Sequence, residues 1–268
     1  MKKAKIFYVT PKDEQTKYEK LKWFDRKIFQ KIDFDHIIPD QKANWINLTD
    51  NDFDQFLPLI DKQVKAGKSE EAIFQLFSSG IKTQRDEWVY DFSKNALIKR
   101  MKYFVGVYKA RLKNGVRQEL DIKWDRELEK YMSRKIQKDF EIVQISSAAY
   151  RPFSRKFLYF DKHFNGMTYQ LPYIFPFGEP EKLNNLIVCS DIAFRSGFNV
   201  LAVSSIPDLH LCATTDAFQC LPLYRYDENG NRIENITDWG LNQIQTHYND
   251  PTITKENIFH YTYPRLTA

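Results

Sequence analysis

Glycine is scarce in this chain and never clustered: nine are spread over 268 residues, and the nearest two are Gly106 and Gly115. A P-loop and a dinucleotide-binding turn both need closely spaced glycines to bring backbone N–H groups onto phosphates, so both are excluded here. None of the eleven prolines adjoins another, which removes the Asn/Asp-Pro-Pro-aromatic motif that grips a flipped adenine. Cysteine is rare as well. Cys189, Cys212 and Cys220 form an odd, irregular set, which argues for a reducing compartment over a disulfide framework. His210 and Cys212 lack the second ligand pair that a structural zinc site requires. No apolar run approaches the ~18 residues of a membrane span, and the opening MKKAKIFYVTPKDEQ lacks a signal-peptide core. The expectation is a soluble, cytoplasmic protein with no membrane partner.

What is abundant is aromatic surface and local basic charge. The 268 residues suffice for one large domain or one and a half, and a chain 43% hydrophobic and 15% aromatic, with 21 Phe and 15 Tyr, supports a real core. Forty basic against 35 acidic residues leave +5, which permits a nucleic-acid partner without requiring one. Residues 94–138 hold fourteen basic and five acidic side chains, a surplus of nine that exceeds the excess of the whole chain.

Periodicity predicts the elements. AKIFYVT (4–10) reads as a strand and Lys17–Ile32 as a helix with lysines on its wet face. Residues 33–54 read as a linker. FDQFLPLIDKQVK is expected to be helical, with Pro58 in its first turn. A second helix is expected after Ser69 as N-cap, continuing through Ala72, Ile73, Leu76 and Phe77 to Gly80. WVYDF (88–92) predicts a strand. Lys94–Lys113 predicts a long helix with the stripe Leu97, Met101, Phe104, Val105, Tyr108 and Leu112, closed by Asn114-Gly115. Another helix is expected over 125–140. Short β-rich runs follow: FEIVQISSAAYRPFSRKFLYFD, YQLPYIFPF, NNLIVCSD, FNVLAVSSIP and LHLCAT. Two helices close the chain, NITDWGLNQIQTHY and TKENIFHYTY, the latter stopped by Pro264. Helices, then strands, then helices give an α+β class.

Two constellations carry binding chemistry. In Lys82-Thr83-Gln84-Arg85-Asp86, Arg85 has the fork that takes guanine O6 and N7, and Lys82, Thr83 and Gln84 can reach phosphates or base edges. Asp86 can hold Arg85 or accept from cytosine N4. A surface Arg–Asp pair in a turn is the other reading. In AYRPFSRKFLYF (149–160), Arg151, Arg155 and Lys156 alternate with aromatics including Tyr150, a mixture suited to phosphate contact beside stacking surfaces. An edge strand with snorkelling cations would look the same. Nuclease-like spacings also occur, at Asp121-Ile122-Lys123 and Asp25-Arg26-Lys27, and His210 behind Asp208 could serve as a general base, a hydrogen-bonded histidine at a strand end being the other reading.

SSGIKTQRDEWVYDFS, AAYRPFSRKFLYFD, NNLIV, IPDLH, QCLPLYRY, NITDWGLN and ITKENIFHY occur in that order. Together they resemble the C-terminal specificity region of type ISP restriction–modification enzymes. These are large single polypeptides joining a nuclease, a helicase-like motor, an adenine-N6 DNA methyltransferase and a target-recognition domain. The resemblance implies that residues 1–59 are the trailing strand and helix of a methyltransferase-like α/β domain plus a linker. Residues 60–268 would then be a strand-rich recognition domain flanked by helices. It implies double-stranded DNA as partner. It assigns no base contacts; on their own chemistry Lys82, Thr83, Gln84, Arg85, Asp86, Tyr150, Arg151, Arg155 and Lys156 are the residues expected to face the DNA. It also implies no catalytic, metal or cofactor residue in this chain, S-adenosylmethionine belonging to the parent methyltransferase. The ending TYPRLTA stops where the family's terminal helix is expected to continue, so a fragment, a separate subunit or a truncated gene is expected. A small metal-dependent nuclease and a remnant that docks on a protein stay open as alternatives.

Overall fold

The computed structural model describes residues 5–12, 14–39, 55–115, 122–177, 187–191, 200–212 and 218–267. The chain divides into two compact units, Met1–Phe56 and Leu57–Ala268.

In the first unit, β1 (Ile6–Tyr8) pairs antiparallel with β2 (Asp35–Ile37), Ile6 opposite Ile37. Between them lies α1 (Lys17–Asp25), opened by a capping box. The Thr16 amide donates to Glu19 Oε2 at 2.7 Å, and the Glu19 amide donates back to Thr16 Oγ1 at 3.4 Å. The predicted helix to Ile32 stops at Asp25, and a single 3₁₀ turn follows at Phe29–Lys31. No described residue of this unit is buried. No residue of α1 is buried among the described residues, so the capping box is the local feature that holds its start.

In the second unit, α4 (Lys94–Asn114) follows prediction closely. Ser93 Oγ accepts from the Ala96 amide, Gly115 closes the end at φ 69°, and Leu97, Met101, Phe104, Val105 and Tyr108 are buried. They pack with Leu158, Tyr159, Phe160 and Phe164 in the larger core. Lys94, Lys99, Lys102, Lys109 and Lys113 lie on the exposed face. A four-stranded sheet runs β3 (Tyr90–Asp91), β5 (Ser154–Tyr159), β4 (Ile145–Arg151) and β8 (Ile206–Pro207), antiparallel except for the parallel β4–β8 pair. A three-stranded antiparallel sheet runs β7 (Val200–Val203), β6 (Ile187–Asp191) and β9 (Phe218–Pro222). A hairpin joins β10 (Tyr224–Tyr226) to β11 (Arg232–Glu234). The closing helices are α6 (Asp238–Tyr248), capped by Thr237, and α7 (Lys255–Thr267). Phe259 and Ile258 of α7 join Phe74, Leu221, Leu223 and Ile236 in a second core. The mixed helix-and-sheet architecture agrees with the α+β class.

Several predicted elements differ. The helix expected over 53–65 is only α2 (Lys62–Lys65), starting after Asp61, whose carboxylate caps the Gln63 and Val64 amides. No helix follows Ser69. Residues 73–75 instead bond sideways: Ile73 N–H to Pro58 O at 2.9 Å, Phe74 N–H to Leu59 O at 3.0 Å and Gln75 N–H to Asn235 O at 2.9 Å. Ala72, Ile73 and Phe74 are consecutive and all buried, a pattern that fits extended chain enclosed on both sides and not a helix stripe. Residues 88–92 split into the one-turn α3 (Asp86–Val89) and the short β3. The strand expected in YQLPYIFPF is a 3₁₀ turn at Leu171–Tyr173, the described part of LHLCAT (209–212) is turn and bend and not strand, the helix expected over 125–140 is α5 (Arg126–Ser133), and α7 runs through Pro264.

Candidate nucleic-acid interface

The KTQRD loop is built into the edge of the four-stranded sheet. The Ile81 N–H donates to Pro207 O at 2.8 Å, and Leu209 N–H returns to Ile81 O at 2.9 Å. On its other side, Lys82 and Met167 exchange main-chain bonds of 2.9 and 2.8 Å. Gly80 makes this crossing possible, because a Cβ there would lie 2.4 Å from Asp208 O. Gln84 takes φ 63°, and its side chain lies over Gly166, where a Cβ would meet Gln84 Cγ at 2.7 Å. Lys82 and Gln84 point outward and are exposed, whereas Thr83 and Arg85 are buried.

Arg85, expected from the sequence as a base-reading fork, has a side chain 0% exposed and paired with Asp125. Asp125 also caps α5, accepting from the Leu128 amide at 2.9 Å. Arg85 therefore ties the loop to α5. Nε and Nη1 have no partner among the described residues, and burial lowers its pKa, opposed by the Asp125 charge. Thr83 is likewise turned inward, its hydroxyl donating to Asp86. Asp86 does not hold Arg85; its second oxygen accepts from the Tyr150 hydroxyl at 3.0 Å.

That bond links the loop to the β4–β5 hairpin. The register shifts between Ala149 and Arg151, leaving Tyr150 in a bulge that re-aims the strand end. Arg151 lies over the Tyr150 ring at 4.0 Å, and Lys156 Nζ sits 3.6 Å from the same ring centre. Arg155 is exposed. Pro152 and Phe153 form the tip, Phe153 at φ 61° and 99% exposed.

Asp208, within the IPDLH motif, is the hub that joins these segments. Arg151 Nη1 donates to Asp208 Oδ1 at 2.5 Å, the Tyr90 hydroxyl donates to Oδ2 at 3.1 Å, and the His210 amide donates to Oδ1 at 2.9 Å. Burial raises the carboxyl above its ordinary range, only partly offset by the His210 amide and Arg151. Burial also drives the Tyr90 phenol well up, helped by the Asp208 charge. The predicted Asp208–His210 couple is thus joined through main chain, and His210 Nδ1 has no partner among the described residues. Asp121, the acid of the other nuclease-like pair, lies outside the described residues. No group of three or more His, Cys, Asp or Glu able to hold a metal occurs among the described residues. Two depressions flank the network. One of about 510 Å³ is lined by Asp86, Tyr90, Phe92, Arg100, Tyr150 and Lys156. Another of about 280 Å³ is lined by Lys82, Gln84, Lys123 and His210 among others.

The profile of the type ISP C-terminal specificity domain matches residues 72–267. This chain belongs to that family. The chain is also similar to solved structures, among them the following three. One is a cryo-electron-microscopy structure of a DrdV–DNA complex, 38% identical over 98% of this chain, with a TM-score of 0.72. The second is the ATP-dependent type ISP restriction–modification enzyme LlaBIII bound to DNA, 27% identical over 87% of this chain, with a TM-score of 0.69. The third is a nuclease-deletion mutant of the type ISP enzyme LlaGI with a DNA substrate mimic, 25% identical over 87%, with a TM-score of 0.62. The chain spans 26%, 15% and 23% of those three polypeptides, respectively. No curated protein matches. Within the specificity domain, the matched region begins at Ala72 and so takes in the loop, the hairpin and the Asp208 hub together.

Proposed function

We propose that this chain reads a DNA sequence for a restriction–modification enzyme. It binds duplex DNA and positions it for adenine-N6 methylation, and for cleavage, by methyltransferase, motor and nuclease portions outside this chain. The observation that carries the reading is the 38% identity over 98% of the chain to a structure holding DNA. In this reading Lys82, Gln84, Arg155 and Lys156 meet the duplex, together with the exposed lysines of α4 as phosphate contacts. Thr83, Arg85 and Asp86 shape the loop, and Tyr150 and Arg151 fix the hairpin against it.

Residues 1–59 are read as the trailing strand and helix of the methyltransferase portion. What supports this is their exposed apolar surface: Tyr18 is 82% and Ile38 81% exposed, with Phe7, Leu21, Phe24, Ile28 and Phe29 also open. Such a surface fits a piece of a neighbouring domain. S-adenosylmethionine belongs to that portion. The tight approaches at Gly80, Gly166 and Gly240 are filled by the chain's own atoms, so none of those three is a cradle for it. No helix among the described residues is long and apolar enough to cross a membrane, and the cytoplasm is the compartment that suits a partner of DNA.

Binding to a pool of randomised duplexes at several salt concentrations tests this. Wild-type affinity is expected to fall steeply with salt. Lys82→Ala is expected to lower the log–log slope by about one with little change in the selected sequence. Gln84→Ala is expected to broaden the selected sequence. Salt-independent binding, or none, defeats the reading.

A further inference from the structure

We propose that Phe153 is a wedge that enters the duplex and stacks on a base at the site where the hairpin meets DNA. This deepens the recognition reading above and rests on it. The ring is 99% exposed, at the tip of a turn whose backbone is held at φ 61°. A proline followed by a residue of positive φ is the requirement of a type II turn, and that second position favours glycine or asparagine. A phenylalanine there is unfavourable twice over, in its backbone and in its contact with water. Neither penalty is relieved by packing, because the described residues leave the ring uncovered. Sparsely populated backbone states of this kind are retained where a side chain has work to do outside the fold.

The surroundings name the ligand. Arg155 is exposed two residues on, and Arg151 and Lys156 are gathered over Tyr150 within 4.0 Å of its ring centre. Cations beside a projecting aromatic suit a partner with anionic rails and apolar steps between them, which is a nucleic-acid duplex. A two-stranded ribbon fits a groove, and apolar side chains inserted between base pairs unstack them. Pro152 presets the turn, so little chain entropy is lost on insertion. A flexible pyrimidine–purine step is the cheapest place to open.

The test uses the full chain and a randomised duplex pool. Phe153→Ala is expected to weaken binding about ten-fold, the scale of one lost base–aromatic stack, with the salt slope unchanged because no phosphate contact is removed. Phe153→Trp is expected to keep affinity and to show indole emission quenched by added duplex beyond the wild-type response. Phe153→Gly is expected to bind as weakly as the alanine variant while unfolding at the same or a higher temperature, since glycine relieves the turn. If the wild type binds duplex and Phe153→Ala binds equally well with no quenching in the tryptophan variant, the wedge is wrong and the recognition reading survives. A glycine variant that unfolds earlier than wild type also overturns the wedge, in favour of a structural role. A wild type that binds no duplex overturns both.

Discussion

Arg85 shows how residue type and residue role part company. Its fork is suited to guanine, but burial beside Asp125 spends that fork on fastening a loop to the first turn of α5. Removing one member of a buried ion pair leaves the other unpaired, typically at a cost of several kcal/mol. Arg85→Ala is therefore expected to destabilise the chain by about 3 kcal/mol in urea-unfolding curves, whereas Lys82→Ala, three residues away and exposed, stays within about 0.5 kcal/mol of wild type. Equal effects at the two positions would contradict this assignment. Sequence could nominate both residues because it reports what a side chain is able to bond. It could not separate them, because the acid that captures Arg85 lies forty positions downstream.

Elements were legible where their determinants are local. The long helix α4 carries its own N-cap at Ser93, its stripe and its closing Gly115, and α6 carries Thr237. The segment after Ser69 had a plausible cap and acids, yet it lies extended because its bonding partners come from 58–59 and 235–237. Asn235 is the clearest of these. Fully buried, it accepts from the Leu76 amide at 2.8 Å and donates to Leu76 O and Pro222 O at 2.8 and 2.9 Å. One side chain thus ties the extended segment at Leu76 to the end of β9. Asn235→Ala is expected to cost about 3 kcal/mol, leaving several buried main-chain groups unsatisfied; equilibrium unfolding reads this directly. Loss below about 1 kcal/mol would mean that water or a shifted chain replaces it.

At the scale of the whole molecule, the division at Phe56 separates a unit with no buried described residue from one holding both cores. A chain starting at Leu57 is expected to unfold within about 2 °C of the complete one and to sediment with less self-association, as the exposed aromatics of the first unit are removed. Melting by circular dichroism and sedimentation velocity check both; early melting would assign the first unit a stabilising role. Order along the sequence carried the family resemblance and the two candidate segments of the proposed interface, since those motifs are contiguous. It gave no hint of Asp208 as hub or of Tyr90 as its partner, since their meeting depends on a sheet assembled from distant strands. The crossing at Gly80, where backbone passes against Asp208 with no room for a methyl group, bears on how such a protein acquires a new preference. A short peptide grafted from a cousin would arrive without the floor it rests on. Exchange should succeed as a cassette, loop and hairpin and hub inherited together.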